Sequence, residues 1–95
     1  MTQEKSSGRL VLRLYVAGDA PNSRRAVANA RALCAAHFAS AHELEIVDLL
    51  EHPLRAVADG IVVTPTLLKL VPEPVVRVIG DLSDLGRVLQ TLGSA

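Results

Sequence analysis

The chain has few aromatic residues and a single cysteine. Tyr15 and Phe38 are its only members of the Phe, Tyr and Trp class, 2% of the 95 residues. Proteins that bind single-stranded nucleic acid stack bases on several exposed aromatic side chains, so this composition argues against that function. With Cys34 as the only thiol, no disulfide can form within the chain. No apolar run approaches the roughly 20 residues that a membrane-spanning helix needs.

Charge of neither sign is in excess. Ten Lys and Arg residues balance ten Asp and Glu residues, so no global field favours DNA or a membrane surface. Residues 1–42 nevertheless hold six basic and two acidic residues, and residues 43–95 hold four and eight. This asymmetry suits a protein-binding surface. The polar segment 1–8 lacks the apolar stretch of a signal peptide. We therefore expect a flexible tail over 1–8, one domain over 9–95 and a cytoplasmic location.

The first half of the chain has the pattern of a strand, a helix and a second strand. Leu10, Leu12, Leu14 and Val16 alternate with other residues, which is strand periodicity. Ser23 is the predicted N-cap of a helix that runs to about Phe38, with Asn22 as the alternative cap. The apolar face of this helix is predicted to hold Val27, Ala30, Leu33, Cys34 and Phe38. "ELEIVDLL", residues 43–50, is predicted to be the second strand.

The second half predicts a short helix, two strands and a final helix. Pro53 suits a first helical turn, and Gly60 suits the position after the helix end. "IVVTPTLLKLV" and "VVRVIG" are predicted strands, and Ser83 is predicted to cap the last helix, which ends near Leu92. The order β-α-β-α-β-β-α, with a right-handed β-α-β unit, is the thioredoxin-like arrangement.

The thioredoxin-like arrangement raises the question of redox chemistry. A thiol enzyme of this fold needs a reactive cysteine at the start of the first helix, where the helix dipole lowers the thiol pKa. Residues 18–23 are "GDAPNS" and hold none. Cys34 lies three turns into the helix on its apolar face, which predicts a small buried side chain. Cys34 and His37 have a C-x-x-H spacing, but His42 and His52 are too distant to complete a four-ligand zinc site. We predict no catalysis, no metal and no cofactor.

Pro65, in "VVTPT", precedes a predicted strand. The two possibilities are a cis proline of the thioredoxin fold and an ordinary trans proline at the first position of a strand. We predict a cis Thr64–Pro65 bond.

Four segments together give the chain a family resemblance. "LYVAG", "PNS", "TPTL" and "IGDLS", with the spacings between them, closely resemble the KaiB family of circadian clock proteins, from about Leu10 to Leu89. The resemblance implies a non-catalytic, thioredoxin-like module that docks on the ring ATPase KaiC. The same module resembles the sensory domain of a clock-associated histidine kinase. The alternative function is therefore a thiol-free adaptor or sensory domain that binds another signalling protein, such as a histidine kinase.

The resemblance also carries over site residues and a second fold. Family positions that supply basic contacts to the ring ATPase correspond to Arg25, Lys69 and Arg77, whereas another family lysine is replaced by Gly60. KaiB proteins also form a tetramer with the order β-α-β-β-α-α-β. In that form "RVLQTLGSA" would have to supply the last strand, although Gly93 weakens a strand and large apolar residues are few. We therefore expect a thioredoxin-like monomer at rest, with the tetramer as the alternative.

Overall fold

The structure, a computed structural model, describes residues 9–38 and 41–93. Its elements follow the predicted order. The strands are β1 (Leu10–Val16), β2 (His42–Asp48), β3 (Thr66–Val71) and β4 (Val76–Ile79), and the helices are α1 (Pro21–His37), α2 (Pro53–Ala58) and α3 (Leu85–Leu92). The tail expected over 1–8 lies outside the described residues.

The strands form one mixed sheet in the order β2-β1-β3-β4. β1 and β2 are parallel, with Leu10 opposite His42 and Val16 opposite Asp48. β3 runs antiparallel to both β1 and β4. A parallel pair joined through a helix, followed by an antiparallel pair, is the predicted thioredoxin-like topology, which is therefore confirmed. Within the described ranges, no helix is long and apolar enough to cross a membrane.

The sheet separates two apolar clusters. The larger one joins the alternating leucines of β1 to one face of α1 and to Val88 and Leu92 of α3. The smaller one lies on the opposite face of the sheet, where Tyr15, Val47 and Leu68 pack against Ala56 of α2. Tyr15 is fully buried although its neighbours in sequence belong to the other face. Aliphatic side chains thus build most of the core, and one tyrosine anchors the second face.

Both predicted serine caps are wrong. α1 begins at Pro21, whose missing N–H costs nothing in a first turn, and its N-cap residue Ala20 makes no side-chain hydrogen bond. Ser23 lies inside the first turn, where its buried hydroxyl accepts a hydrogen bond of 3.0 Å from the Ala17 N–H. At α3 the N-cap is Asp84, whose carboxylate accepts from the Arg87 N–H.

Several predicted strand bounds are too wide. Residues 49–50 turn away after β2, and residues 61–63 precede β3. Ile61 donates its N–H to Ala56 O at 2.9 Å, which ties this segment to the end of α2 rather than to the sheet. The Thr66 hydroxyl donates to Val63 O at 2.7 Å and closes the turn that leads into β3. The Thr64–Pro65 peptide bond within this turn is cis.

Candidate interaction surface

The junction between β1 and α1 is held by polar groups that satisfy its own backbone. Gly18 adopts a φ of +55°, and its N–H donates to Oδ1 of Asp48 at 3.1 Å. The Leu50 N–H donates to the same oxygen at 3.0 Å. The Ser23 hydroxyl accepts a hydrogen bond from the Ala17 N–H, and Ser23 is only 2% exposed. The place where a thiol enzyme of this fold keeps its nucleophile therefore holds a turn with internal bonds.

Cys34 lies on the inner face of α1 and is 1% exposed, as predicted. Burial raises the pKa of its thiol above the ordinary value. A protonated, enclosed thiol is a poor nucleophile, so this side chain contributes packing. Among the residues that the structure describes, no group of three or more His, Cys, Asp or Glu side chains is arranged to hold a metal ion.

A polar network joins α2 to the sheet. The Tyr15 hydroxyl lies 2.7 Å from Oδ2 of Asp59 and 3.0 Å from the carbonyl oxygen of Arg55. Arg13 donates to Asp59 at 2.9 Å and to Glu45 at 2.8 Å. Arg55 completes the network with an ion pair to Glu45 at 2.8 Å. Two strands and the end of α2 are thus linked through five side chains.

The network shifts the pKa values of its acids and of its tyrosine. Hydrogen bonds from Arg55 and Arg13 lower the pKa of Glu45 to about 2. The hydrogen bond from Tyr15, with help from Arg13, holds the pKa of Asp59 below its usual value. Burial, together with the neighbouring Asp59 carboxylate, raises the pKa of Tyr15. At neutral pH both carboxylates are therefore ionised and Tyr15 remains a donor.

The three basic residues predicted to contact a partner have different environments. Arg25 is exposed on the first turns of α1 and donates to Oδ2 of Asp81 at 3.2 Å. Arg77 is exposed on β4, and its guanidinium donates to the carbonyl oxygens of Asp59 at 2.8 Å and Gly60 at 3.1 Å. Lys69 lies in β3 and is only 5% exposed. Two of the three are therefore at the surface, and each already has a structural partner.

Arg77 closes the carboxyl end of α2. Asp59 is the C-cap residue of this helix, and Gly60 follows with a φ of +68°. A Cβ at position 60 would lie 3.3 Å from Nη2 of Arg77. The glycine predicted at the helix end thus meets two requirements, the left-handed backbone and the close approach of the guanidinium. Arg77 contacts carbonyl oxygens where the helix dipole is negative, which suits a cation.

Arg77 lines a groove between β4 and α3, and Arg25 is tied to the wall of this groove through Asp81. The groove has a volume of about 390 Å³ and is lined by residues 77–84 with Arg87, Val88 and Thr91. Asp81, the partner of Arg25, lies in its wall together with Asp84. Asn29 also donates to Asp81 O at 2.8 Å, which attaches this wall to α1. The groove is therefore lined with both signs of charge and connects two of the predicted contact residues.

Exposed apolar side chains on α2 and the following loop were missed by the sequence reasoning. Leu54 is 81% exposed, Val57 74% and Val62 89%. The i, i+3 spacing of Leu54 and Val57 places them on one side of α2, away from Ala56, which packs on the sheet. A helix of six residues is too short for its apolar periodicity to distinguish an inner from an outer face, so no sequence signal could have identified these exposed side chains.

The comparisons with known proteins agree with this fold. The family model described as "KaiB domain" matches residues 13–94. The circadian clock oscillator protein KaiB of Prochlorococcus marinus strain MIT 9313 is 49% identical over 79 residues, which cover 83% of this chain and 66% of that protein. The circadian clock protein KaiB3 of Synechocystis is 44% identical over 81 residues, covering 85% of this chain and 79% of that protein.

Solved structures give the same topology. The N-terminal domain of Synechococcus elongatus SasA is 27% identical, with a TM-score of 0.73, and the match covers 92% of this chain and 86% of that domain. The Drosophila thioredoxin Deadhead also has a TM-score of 0.73, at 13% identity, over 98% of this chain and 87% of its own. At that identity the likeness concerns the fold alone.

Proposed function

The chain belongs to the KaiB family, and from this membership we propose that it is a non-catalytic interaction module that docks on a KaiC-like ring ATPase. The observation that carries the proposal is the closed β1–α1 junction. Ser23 and Asp48 fix its backbone, and the single thiol is buried elsewhere in α1. A thioredoxin-like scaffold built in this way offers surfaces to a partner rather than a reactive group. We place this function in the cytoplasm, in a circadian or related signalling system.

The proposed contact surface is the side of the molecule that carries Arg25 and Arg77. Both residues are exposed; Arg77 lines the groove beside β4, and Arg25 pairs with Asp81 in the wall of that groove. Their present bonds, to Asp81 and to the end of α2, hold them in fixed positions, which lowers the entropy lost when a partner binds. Lys69 has too little exposure for a rim contact in this form, so the proposal depends on Arg25 and Arg77.

The alternative function is an adaptor or sensory domain that binds another signalling protein, such as a histidine kinase. The observation that favours it is the likeness to the N-terminal domain of SasA, at 27% identity over 92% of this chain. Both functions use the same thioredoxin-like form and differ in the partner. A direct binding measurement therefore separates them.

The test is titration of the purified chain with a KaiC-like ATPase encoded in the same genome, followed by isothermal calorimetry in 0.15 M salt. We expect saturable binding that the double variant Arg25→Ala/Arg77→Ala weakens by about 1 to 2 kcal/mol, the range of two rim contacts. Arg9→Ala is the matched control, because Arg9 is exposed and pairs with Glu43 at the other side of the sheet. Binding to a histidine kinase alone would instead support the adaptor function, and reduction of insulin would contradict both.

A further inference from the structure

The outer face of α1 carries basic charge and no acidic charge. The helix contains Arg24, Arg25 and Arg31, ends with His37, and has no Asp or Glu. Arg24 and Arg31 are exposed, and Ala28 lies between them at the helical spacing that puts all three on one side. Small side chains occupy most of the remaining exposed positions of the helix. The result is a helical face of mostly small side chains that carries two guanidinium groups seven positions apart.

The start of α1 makes this charge unusual. The first turns of a helix have a positive dipole, so acidic residues are favoured there and basic residues are disfavoured. α1 has no acidic residue in its first turn, and its N-cap supplies no side-chain acceptor. Arg24 is the fourth residue of the helix and Arg25 the fifth, so they lie at the edge of this unfavourable region. Departures from such local sequence preferences are expected at functional sites.

Only one of these two arginines is compensated within the fold. Arg25 donates to Asp81 at 3.2 Å and also to Asn22. Neither Arg24 nor Arg31 forms an ion pair or a side-chain hydrogen bond with any residue in the described ranges 9–38 and 41–93. Arg24 also lines a shallow, solvent-exposed depression on this face of the helix, together with Pro21, Arg25 and Ala28. Two guanidinium groups thus lie on one face with no anionic partner among the residues that the structure describes.

We propose that the outer face of α1 is a docking surface for an acidic segment of a partner protein. The carboxylates of that segment would pair with Arg24 and Arg31, and the small side chain of Ala28 between them allows its backbone to approach closely. Charge complementarity at such a face accelerates association and selects acidic partners. A nucleic acid fits less well, because the chain has no net charge and eight acidic residues follow position 42.

This surface adjoins one of the contacts proposed for the ring ATPase, because Arg25 lines the same depression as Arg24. Arg24 and Arg31 are not among the positions that the family resemblance carries over, and neither lines the groove beside β4. The inference is tested at Arg24 and Arg31, so its outcome can be distinguished from that of the proposed function, which is tested at Arg25 and Arg77. It predicts a preference for acidic protein segments even if no KaiC-like ATPase binds.

The test uses the full chain labelled with ¹⁵N and two synthetic helical peptides. One peptide is alanine-based with four glutamates along one face, and the other has glutamine at the same positions. We expect amide shifts from the glutamate peptide to concentrate in residues 21–36 and to shrink as salt rises from 0.05 to about 0.3 M. Arg24→Gln/Arg31→Gln should weaken the interaction by roughly fivefold or more. Arg9→Gln, which removes a positive charge outside both α1 and the groove, should change it by less than about twofold.

Three results would overturn the proposal. The glutamine peptide could produce the same shifts, the shifts could fall outside α1, or no saturable shift could appear at millimolar glutamate peptide. A 12-base-pair DNA duplex is titrated in parallel, and tighter binding to the duplex than to the peptide would assign the face to nucleic acid instead. The substituted arginines have exposed side chains, so we expect each variant to fold. The dispersion of its amide spectrum checks this.

Discussion

The hydroxyl of Tyr15, at the centre of the sheet, donates a hydrogen bond of 2.7 Å to Oδ2 of Asp59 at the end of α2. Tyr15 is fully buried, and the Asp59 side chain is 25% exposed. The bond joins an inner strand to the one helix on this face of the sheet. Because its acceptor is ionised and its donor is held by packing, it is a charge-assisted bond in a fixed geometry.

Tyr15→Phe should therefore lower the free energy of unfolding by about 1 to 2 kcal/mol. The ring keeps its packing, but Asp59 loses a donor that water replaces only in part. Urea denaturation followed by circular dichroism measures the effect. Asp59→Asn is the matched variant, and the double variant should cost less than the sum of the two single ones. Strict additivity would show that the two groups do not interact.

Stability should fall as the pH drops from about 4.5 to about 2. The pKa of Glu45 lies at about 2 in the folded chain, against an ordinary value of 4.5, and the pKa of Asp59 is lowered as well. A depressed folded-state pKa contributes stability above the unfolded-state value, and this contribution is lost as the pH falls through the folded-state value. The urea midpoint measured across this window should decline less steeply in Glu45→Gln than in the unmodified chain. Equal slopes would remove Glu45 from this explanation.

Gly60→Ala should destabilise the fold by about 1 to 2 kcal/mol, because residue 60 has a φ of +68°. The new Cβ would also lie 3.3 Å from Nη2 of Arg77 and press on the guanidinium. Gly86→Ala in α3 is the control, because it is expected to raise stability rather than lower it. Its Cβ meets only Asp84 Oδ1 at 3.9 Å, so helix propensity should stabilise the chain by about 0.5 to 1 kcal/mol. Thermal unfolding of the two variants should therefore shift in opposite directions.

Arg77→Lys separates the structural role of Arg77 from its charge. A lysine keeps the positive charge, but a single ammonium cannot reproduce the two parallel donations to Asp59 O and Gly60 O. The variant should lose about 0.5 to 1.5 kcal/mol of stability, close to the loss in Arg77→Ala. Amide exchange in α2 should quicken in both variants. If the lysine variant is as stable as the unmodified chain, the capping role of Arg77 is refuted.

The chain should sediment as a monomer at micromolar concentration. The β-α-β-β-α-α-β form would require the segment now folded as α3 to become a strand, and α3 contains Gly86 and is followed by Gly93. α3 also contributes Val88 and Leu92 to the larger core, so leaving it would expose both. Analytical ultracentrifugation between about 5 and 200 μM measures the state. A stable tetramer in this range would mean that the alternative form dominates.

The sequence predicted the fold because its signals are local. Alternating leucines mark β1, Pro53 and Gly60 bracket α2, and the order of elements leaves one common topology. The N-cap predictions were wrong because serine is favoured at N-cap positions in general, and Ser23 and Ser83 each lie close to the start of a helix. Pro21 begins α1 earlier, and Asp84 supplies a stronger acceptor for α3.

The candidate surface was less predictable because its bonds join distant parts of the chain. Arg77 contacts residues 17 and 18 positions earlier, and Arg25 contacts a residue 56 positions later. The family resemblance carried over Arg25, Lys69 and Arg77 alike, whereas the structure exposes the two arginines and buries the lysine. Lys69 is enclosed because alternation in β3 places it on the side of Leu67, against the larger core.

One oxygen of Asp48 holds the ends of two neighbouring loops, through the N–H groups of Gly18 and Leu50. The turn before α1 is thus anchored from β2, whereas the side chains of Asp19 and Ala20 are exposed. These two positions form a natural insertion point for protein engineering. A short binding loop or a thiol pair could be grafted there on a scaffold that supplies its own rigid frame.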